Sequence, residues 1–372
     1  MYSNLLGKTD QHWALHSGAG SIINTLNTVA LRGSNEPYWS VLGRFVNKSK
    51  RHSAISDEQV VKSYHDMLLM RRFEEKVGQL YGMGLIRGFC HLYIGQEAIA
   101  VGLQNVLSSE DSIVTSYREH GFMLTSGESA NTILAELMGK GTGCSKGKGG
   151  SMHMFNVAKN FFGGHGIVGA QVPIGTGIAF AEQYKKGKGV VFTCLGDGAM
   201  NQGQVYESFN MASLWKLPVV YVVENNEYAM GTSVPRSSSV VELYRRGEGC
   251  GVPGSQVDGM DIFAVIEAAS NAAELCRNGN GPVLLEMKTY RFRGHSMSDP
   301  AKYRTRQEVD EVRDSRDPLC RLKEYVLKHK IAPESTLDGF EKQVREIVNG
   351  AVEFAQSSPE PEAGELYTDV YK

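Results

Sequence analysis

The chain has 372 residues, of which 41% are hydrophobic and 22% are charged, and its formal net charge is -2. This composition is typical of a globular chain with a large core, and the small net charge excludes the broad basic surface of a nucleic-acid-binding protein. Six cysteines occur without CxxC or zinc-site spacing, and no stretch is apolar enough for a membrane span. We therefore expect reduced thiols and no nucleic-acid or membrane partner.

The first part of the chain differs from the rest. Residues 1–52 have no periodic pattern and more basic than acidic side chains, which leaves a transit peptide, a mobile arm and a misplaced start as alternatives. Ser56, followed by Asp57 and Glu58, then predicts a helix start with a capping serine and an acidic first turn. We expect an N-terminal arm or extension at 1–52 and one α/β domain at 53–372.

Short apolar runs alternate with helical patterns through the middle of the chain. Runs that predict strands lie at Ser112–Thr115, Val190–Leu195, Pro218–Glu224 and Val283–Met287. Patterns that predict helices lie at Gln202–Trp215, Ile262–Arg277, Leu319–His329 and Leu337–Ala355. Continuous apolar runs that alternate with helices indicate an α/β fold, with a mostly parallel sheet and helices on both faces.

Two turns carry the most informative residues. Asp197 lies in a GDG turn after the strand 190–195, and Asn226 follows the strand 218–224. The helix at 202–215 joins these strands into a βαβ unit, so both turns are expected at the carboxyl edge of the sheet, where such sheets bind ligands. Their hard oxygen atoms suit Mg²⁺ held with a diphosphate. A helix-capping aspartate and an ordinary turn asparagine explain each residue alone, but the pair favours a ligand site.

The GDG turn, with two asparagines at this interval after it, resembles the thiamine-diphosphate motif. From about Asp57 to near the C-terminus, the chain is similar to the alpha subunits of thiamine-diphosphate-dependent 2-oxo acid dehydrogenases. The segments that carry this likeness are RGFCHLYIGQEA (87–98), YREHG (117–121), GKGGSMHMF (147–155), GIVGAQVPIGTG (166–177) and RGHSMSDPAKYRTR (293–306). The resemblance implies the thiamine-diphosphate-binding fold, with thiamine diphosphate and Mg²⁺ as cofactors.

The resemblance also implies roles for single residues. The implied Mg²⁺ ligands are Asp197, Asn226 and the backbone carbonyl of Tyr228. The implied cofactor contacts are Tyr117, Arg118, Gly166, Val168, Asp197, Gly198, Ala199, Asn226 and His295. Arg118 also suits this role on chemical grounds, because its planar guanidinium matches phosphate oxygens, although a surface arginine is the alternative.

Two histidines, His91 and His295, match active-site histidines of the family, although either alone is equally explained as a structural residue. His295 lies in the segment 291–308, which has no clean periodicity, and long irregular segments are often functional. The family has a mobile loop here that meets the cofactor and a lipoyl group. A histidine in such a loop can transfer protons near neutral pH.

Two glycine-rich segments give weaker signals. GHGIVG (164–169) has the GxGxxG spacing of a dinucleotide site, but we expect no strand directly before it and reject a nicotinamide site. KGTGCSKGK (140–148) lacks the spacing of a P-loop, so a solvated loop is expected.

The resemblance implies that a second chain completes the enzyme. In two-chain members the glutamate that activates the cofactor ring belongs to the beta subunit, so we expect the chain alone to be inactive and to form a heterotetramer of two alpha and two beta subunits. The implied substrate is a small 2-oxo acid, decarboxylated oxidatively, and the acyl group passes to the lipoyl group of an acetyltransferase partner. RGHSMSDP (294–300 with Arg293) is most similar to the pyruvate branch.

Other functions remain open at this stage. One is the alpha subunit of a branched-chain 2-oxo acid or acetoin dehydrogenase; another is a single-chain thiamine enzyme, for which 372 residues leave little room. A non-catalytic scaffold is opposed by the presence of Asp197, Asn226 and Arg118. FRGHSMSDPAKYR is most like bacterial members, which favours a bacterial cytoplasm over a mitochondrial matrix. Ser296 and Ser233 match positions that are phosphorylated in mitochondrial relatives.

Overall fold

The structure is a computed structural model that describes residues 55–371. The predicted arm or extension at 1–52 lies outside the described residues. The helices, in chain order, are α1 (Asp57–Gly82), α2 (Glu97–Gln104), α3 (His120–Thr125), α4 (Ala130–Leu137), α5 (Gln171–Tyr184), α6 (Gly203–Trp215), α7 (Val234–Ser237), α8 (Ile262–Arg277), α9 (Arg306–Arg316), α10 (Pro318–Lys328) and α11 (Glu334–Ser357). The strands are β1 (Ser112–Ser116), β2 (Phe161–His165), β3 (Val191–Gly196), β4 (Val219–Asn225), β5 (Tyr228–Ala229), β6 (Thr232–Ser233), β7 (Gly254–Asp258) and β8 (Val283–Lys288).

Six of these strands form one parallel sheet in the order β2-β1-β3-β4-β8-β7. In its register Gly196 pairs with Glu224, and Asn225 pairs with Lys288, so the carboxyl ends of β3, β4 and β8 lie at one edge. The predicted parallel α/β fold and its four predicted strands are confirmed. The outermost strands β2 and β7 were not predicted, because FFGGH and GSQVD lack a continuous apolar run.

Helices cover both faces of the sheet, as predicted. Alternate residues of β4, such as Val219, Tyr221 and Val223, share a buried core with Val172 of α5 and Phe209 of α6. The intervening β4 residues are also fully buried, as a strand with both faces covered requires, and α8 packs against β4, β7 and β8.

The predicted helix start at Ser56 is confirmed by a capping box. The Ser56 hydroxyl accepts a hydrogen bond from the Gln59 amide at 3.3 Å, and the Gln59 side chain accepts one from the Ser56 amide at 2.8 Å. Further along α1, the buried Arg71 forms ion pairs with Glu97 of α2 and with Asp317 at the start of α10. These pairs tie three helices together beside the sheet. None of the helices formed by residues 55–371 has both the length and the apolar character of a membrane span.

Candidate active site

A cavity of about 310 Å³ opens at the carboxyl edge of the sheet. The strand ends β1, β3 and β4 contribute Ser116, Gly196 and Glu224 to its wall, and Arg291 follows β8. Nine residues that the sequence nominated line the cavity: Tyr117, Arg118, Val168, Asp197, Gly198, Ala199, Asn226, Tyr228 and His295. The parallel sheet therefore brings most of the predicted site together at the position expected for a ligand.

Two nominated residues do not line this cavity. A Cβ atom added at Gly166 would lie 3.1 Å from the His153 ring, so the glycine permits a close approach of that histidine. The His91 ring lies 4.5 Å from the Tyr117 ring and 5.1 Å from the His295 ring, measured between centroids. His91 thus forms a layer behind two residues of the cavity wall.

Asp197 is a buried carboxylate with few partners. It is 4% exposed, its own amide hydrogen-bonds to it, and no other residue within 55–371 donates a hydrogen bond to it. Burial raises its pKa to about 6, although the nearby Arg291 opposes the rise. Its side chain caps neither the following turn nor α6, so the alternative role of helix cap is wrong. The carboxylate is left available for a cation.

The oxygen atoms of Asn226 and Tyr228 point to one common place. A single guanidinium nitrogen of Arg291 donates to Asn226 Oδ1 at 3.2 Å and to the Tyr228 carbonyl at 3.1 Å. The Asn226 amide nitrogen donates to Gln96 Oε1 at 2.8 Å, which fixes the amide with its oxygen towards the arginine. Carbonyl oxygens have a second lone pair, so they can accept this bond and also bind a cation.

These oxygen atoms fit the implied magnesium ion. The described part of the chain has no cluster of three or more His, Cys, Asp or Glu side chains that could hold a metal, so a site here depends on amide and backbone oxygens. One carboxylate, one amide oxygen and one carbonyl match the hard oxygen ligands that Mg²⁺ prefers beside a phosphate. The turn is also compact: a Cβ at Gly198 would lie 2.5 Å from the Ala229 Cβ.

Two buried arginines contribute positive charge to the cavity wall. Arg118 is 5% exposed and donates to the carbonyls of Leu92 at 2.6 Å and His295 at 2.8 Å. Arg291 is 2% exposed, and within residues 55–371 neither arginine forms an ion pair with a carboxylate. Burial, with repulsion from Arg291, lowers the pKa of Arg118 to about 10. Two buried guanidinium groups without counter-ions favour a polyvalent anion between them.

Sequence analysis missed Arg291, Gln96 and Glu224 as cavity residues. Arg291 had a usable signal, since it comes shortly after a predicted strand, where the carboxyl edge of the sheet lies. Glu224 is buried and accepts a hydrogen bond from the Tyr93 hydroxyl, and burial raises its pKa to about 7. Gln96 comes from a distant segment, and nothing in its local sequence connects it to Asn226.

Both nominated histidines are neutral at pH 7. Burial, followed by repulsion from Arg118, lowers the pKa of His295 to about 4 and that of His91 to about 2. Both pKa values lie below the near-neutral range in which His295 was expected to transfer protons, because Arg118 and Arg291 lie nearby. Nδ1 of His91 is buried and has no hydrogen-bond partner within residues 55–371.

The irregular segment after β8 is held by its own side chains. Asp299 accepts hydrogen bonds from the His295 amide at 2.6 Å and the Tyr303 hydroxyl at 2.9 Å. Arg304 donates to the carbonyls of Arg291 and Arg293. The predicted irregular segment 291–308 is confirmed as far as residue 305. Helix α9 begins at Arg306, two residues before the predicted end of the irregular segment. Ser296 is 8% exposed within this loop.

The glycine-rich segments differ from expectation. Strand β2 runs from Phe161 to His165 and includes the first two residues of GHGIVG, so the expectation of no strand before this segment was wrong, because glycines concealed the strand. The expected solvated loop at 140–148 is tied to the protein interior: Glu136, which is fully buried, accepts hydrogen bonds from the amides of Ser145, Gly147, Gly149 and Gly150.

Known proteins resemble the chain over most of its length. Residues 65–364 match the family described as "Dehydrogenase E1 component". A relative from Rickettsia felis is 58% identical over 314 residues, covering 84% of this chain and 96% of its own length. A relative from Rhizobium meliloti is 59% identical over 315 residues, covering 85% and 90%. Both are named "Pyruvate dehydrogenase E1 component subunit alpha". A mitochondrial relative from Dictyostelium discoideum, with the corresponding name, is 53% identical over 315 residues, covering 84% and 82%.

Proposed function

The chain belongs to the dehydrogenase E1 component family, a thiamine-dependent family, and from that premise we propose that it is the alpha chain of an enzyme that oxidatively decarboxylates pyruvate. Relatives that are 53–59% identical carry the pyruvate name, which supports pyruvate over a branched 2-oxo acid or acetoin. The observation that carries the proposal is the cavity whose wall holds the Asp197 carboxylate and two arginines that form no ion pair with a carboxylate within residues 55–371.

The cavity residues divide into an anion part and a cation part. Arg118 and Arg291 would hold the diphosphate of the cofactor, and Asp197, Asn226 Oδ1 and the Tyr228 carbonyl would hold Mg²⁺. Gly198 and Ala199 would contact the phosphates, and Tyr117, Val168 and Gly166 would contact the ring system. When bound, thiamine diphosphate supplies the nucleophilic carbon and the electron sink for decarboxylation.

The histidines would act as neutral groups at the reacting end. His295 lines the cavity, and a bound diphosphate would raise its pKa from about 4, because it adds negative charge beside the ring. His91 Nδ1, which has no partner within residues 55–371, is free to accept or donate a hydrogen bond. We propose that both histidines hold a proton and orient the reacting groups during acyl transfer.

An alpha subunit of this family works with a beta subunit, and the surface supports a protein partner. Phe180, Leu214 and Trp215 are exposed on α5 and α6, with the Phe180 and Trp215 rings 5.4 Å apart. Large apolar side chains grouped at a surface are typical of an interface. We propose a heterotetramer of two alpha and two beta subunits, which transfers the acetyl group to the lipoyl group of an acetyltransferase in a larger complex.

We place this activity in a bacterial cytoplasm. The Rickettsia and Rhizobium relatives support a bacterial setting, and the mitochondrial matrix is the alternative, since the Dictyostelium relative is mitochondrial by name.

The test is a decarboxylation assay with an artificial electron acceptor. The chain is co-expressed with a beta subunit and supplied with thiamine diphosphate, Mg²⁺ and either pyruvate or a branched 2-oxo acid. Turnover of pyruvate well above the branched acid is expected, together with no turnover by the chain alone. Preference for the branched acid would overturn the substrate, and full activity without a beta subunit would overturn the two-chain enzyme.

A further inference from the structure

A buried acid–histidine–serine arrangement lies behind the active-site wall. Glu74 Oε2 is 3.0 Å from His120 Nδ1, and His120 Nε2 is 2.9 Å from Ser151 Oγ. All three side chains are buried, so this serine does not face a substrate. The two ring nitrogens of His120 thus lie within hydrogen-bond distance of the Glu74 carboxyl group and of the Ser151 hydroxyl, so the imidazole connects the acid to the serine.

This arrangement holds the backbone of the segment 91–93 at both ends. Ser151 Oγ accepts a hydrogen bond from the His91 amide at 3.1 Å, and Glu74 Oε1 accepts one from the Tyr93 amide at 2.7 Å. Between them the Leu92 carbonyl accepts from Arg118. The His91 amide, the Leu92 carbonyl and the Tyr93 amide are therefore each bonded to a side chain from a different part of the chain.

Ser151 is itself fixed from the other side. It follows directly on the loop whose amides, from Ser145 to Gly150, donate to the buried Glu136. A carboxylate bound by four amides is a rigid attachment, so Ser151 has little freedom to move. The position of the His91 backbone thus depends on residues in α1, α3 and α4 that do not touch the cavity.

We infer that Glu74, His120 and Ser151 are positioning residues that hold His91 against Tyr117 and His295, and that Ser151 acts on turnover through His91. The inference deepens the proposed function, on which it rests for the role of His91. Loss of the Ser151 hydroxyl removes the acceptor of the His91 amide and the partner of His120 Nε2, while the fold retains the Tyr93–Glu74 bond.

The kinetic test is a double-mutant cycle on the complex of full chain and beta subunit. Ser151→Ala is expected to lower kcat for pyruvate about tenfold, as the loss of a buried hydrogen bond that orients a reacting group. In a His91→Ala background the same change should alter kcat less than about twofold, because the group that Ser151 positions is gone. An equal loss in both backgrounds would show a general structural role and overturn the inference.

A second measurement does not depend on turnover. Hydrogen exchange, resolved to single amides, should show the His91 amide exchanging at least about tenfold faster in Ser151→Ala, with the Tyr93 amide unchanged. Ser145→Ala is the matched control in the same loop, since its hydroxyl donates to the His153 carbonyl and not to the segment 91–93. Equal protection of the His91 amide in both variants would refute the positioning role of Ser151. If the wild-type complex fails to turn over pyruvate, the proposed function fails. The exchange comparison still tests whether Ser151 positions His91.

Discussion

Glu136 and Asp197 are both buried carboxylates, and the protein treats them in opposite ways. Glu136 accepts four backbone hydrogen bonds of 2.7 to 3.0 Å, which balance its charge within the fold. Asp197 has only its own amide among the described residues, and its pKa is raised to about 6. A buried charge that the protein leaves uncompensated is costly, so its retention indicates an external partner. Hydrogen-bond satisfaction thus separates a structural carboxylate from one that serves a ligand.

The largest effect is expected when the Asp197 carboxylate, which has few hydrogen-bond partners, is removed. Asp197→Ala should weaken Mg²⁺-dependent thiamine-diphosphate binding about 1,000-fold, because one side of a buried charge pair is lost. The free energy of unfolding without ligand should stay the same or rise, since a desolvated charge disappears. Cofactor titration followed by circular dichroism, with urea unfolding as the control, measures both. Normal binding would remove Asp197 from the cation site.

Glu136→Gln should lower the stability of the chain and leave cofactor binding almost unchanged, which is the reverse of the effects expected for Asp197→Ala. An amide has one acceptor oxygen in place of two, so about two of the four loop hydrogen bonds are lost, and the free energy of unfolding should fall by about 3 kcal/mol. The folded fraction should bind the cofactor with little change. Urea unfolding of the chain without ligand measures the effect. A stability equal to wild type would mean that the loop does not depend on this carboxylate.

Arg118→Lys examines the anion side of the cavity. The charge remains, but the planar fork that donates to Leu92 and His295 is lost, so cofactor affinity should fall about 30-fold. The dependence on Mg²⁺ concentration should keep its shape, because the oxygen ligands are intact. A change as large as that of Asp197→Ala would instead indicate that Arg118 also organises the cation site.

The smallest expected effect is on pH dependence. A metal requires the ionised form of Asp197, so Mg²⁺-dependent affinity should fall about tenfold between pH 7 and pH 5, through the pKa of about 6. The stability of the unliganded chain follows the opposite sign: a raised folded pKa contributes stability that is complete below the ordinary pKa and is lost as pH rises through about 6. Paired titrations of binding and of unfolding, from pH 5 to pH 7, test the two signs together. Affinity independent of pH would contradict the raised pKa.

The sequence predicted what depends on local pattern. The four central strands were predictable because parallel strands buried on both faces are continuously apolar, and Asp197 and Asn226 because they follow such strands. Gln96 was not, because its partner Asn226 comes from a distant segment that only the tertiary fold brings near. The low pKa values of His91 and His295 were also not predictable, since they arise from burial and from Arg118, which only the tertiary fold brings near.

The neighbouring guanidinium groups of Arg118 and Arg291 also affect the stability of the folded chain and its resistance to proteolysis. Their repulsion destabilises the free protein, and any bound dianion relieves it, so occupancy adds directly to the free energy of unfolding. At a ligand concentration 100 times the Kd, this addition is about 2.7 kcal/mol. A shortage of thiamine diphosphate would therefore leave less of the chain folded and more of it open to proteolysis. The abundance of the protein would then follow the supply of this cofactor.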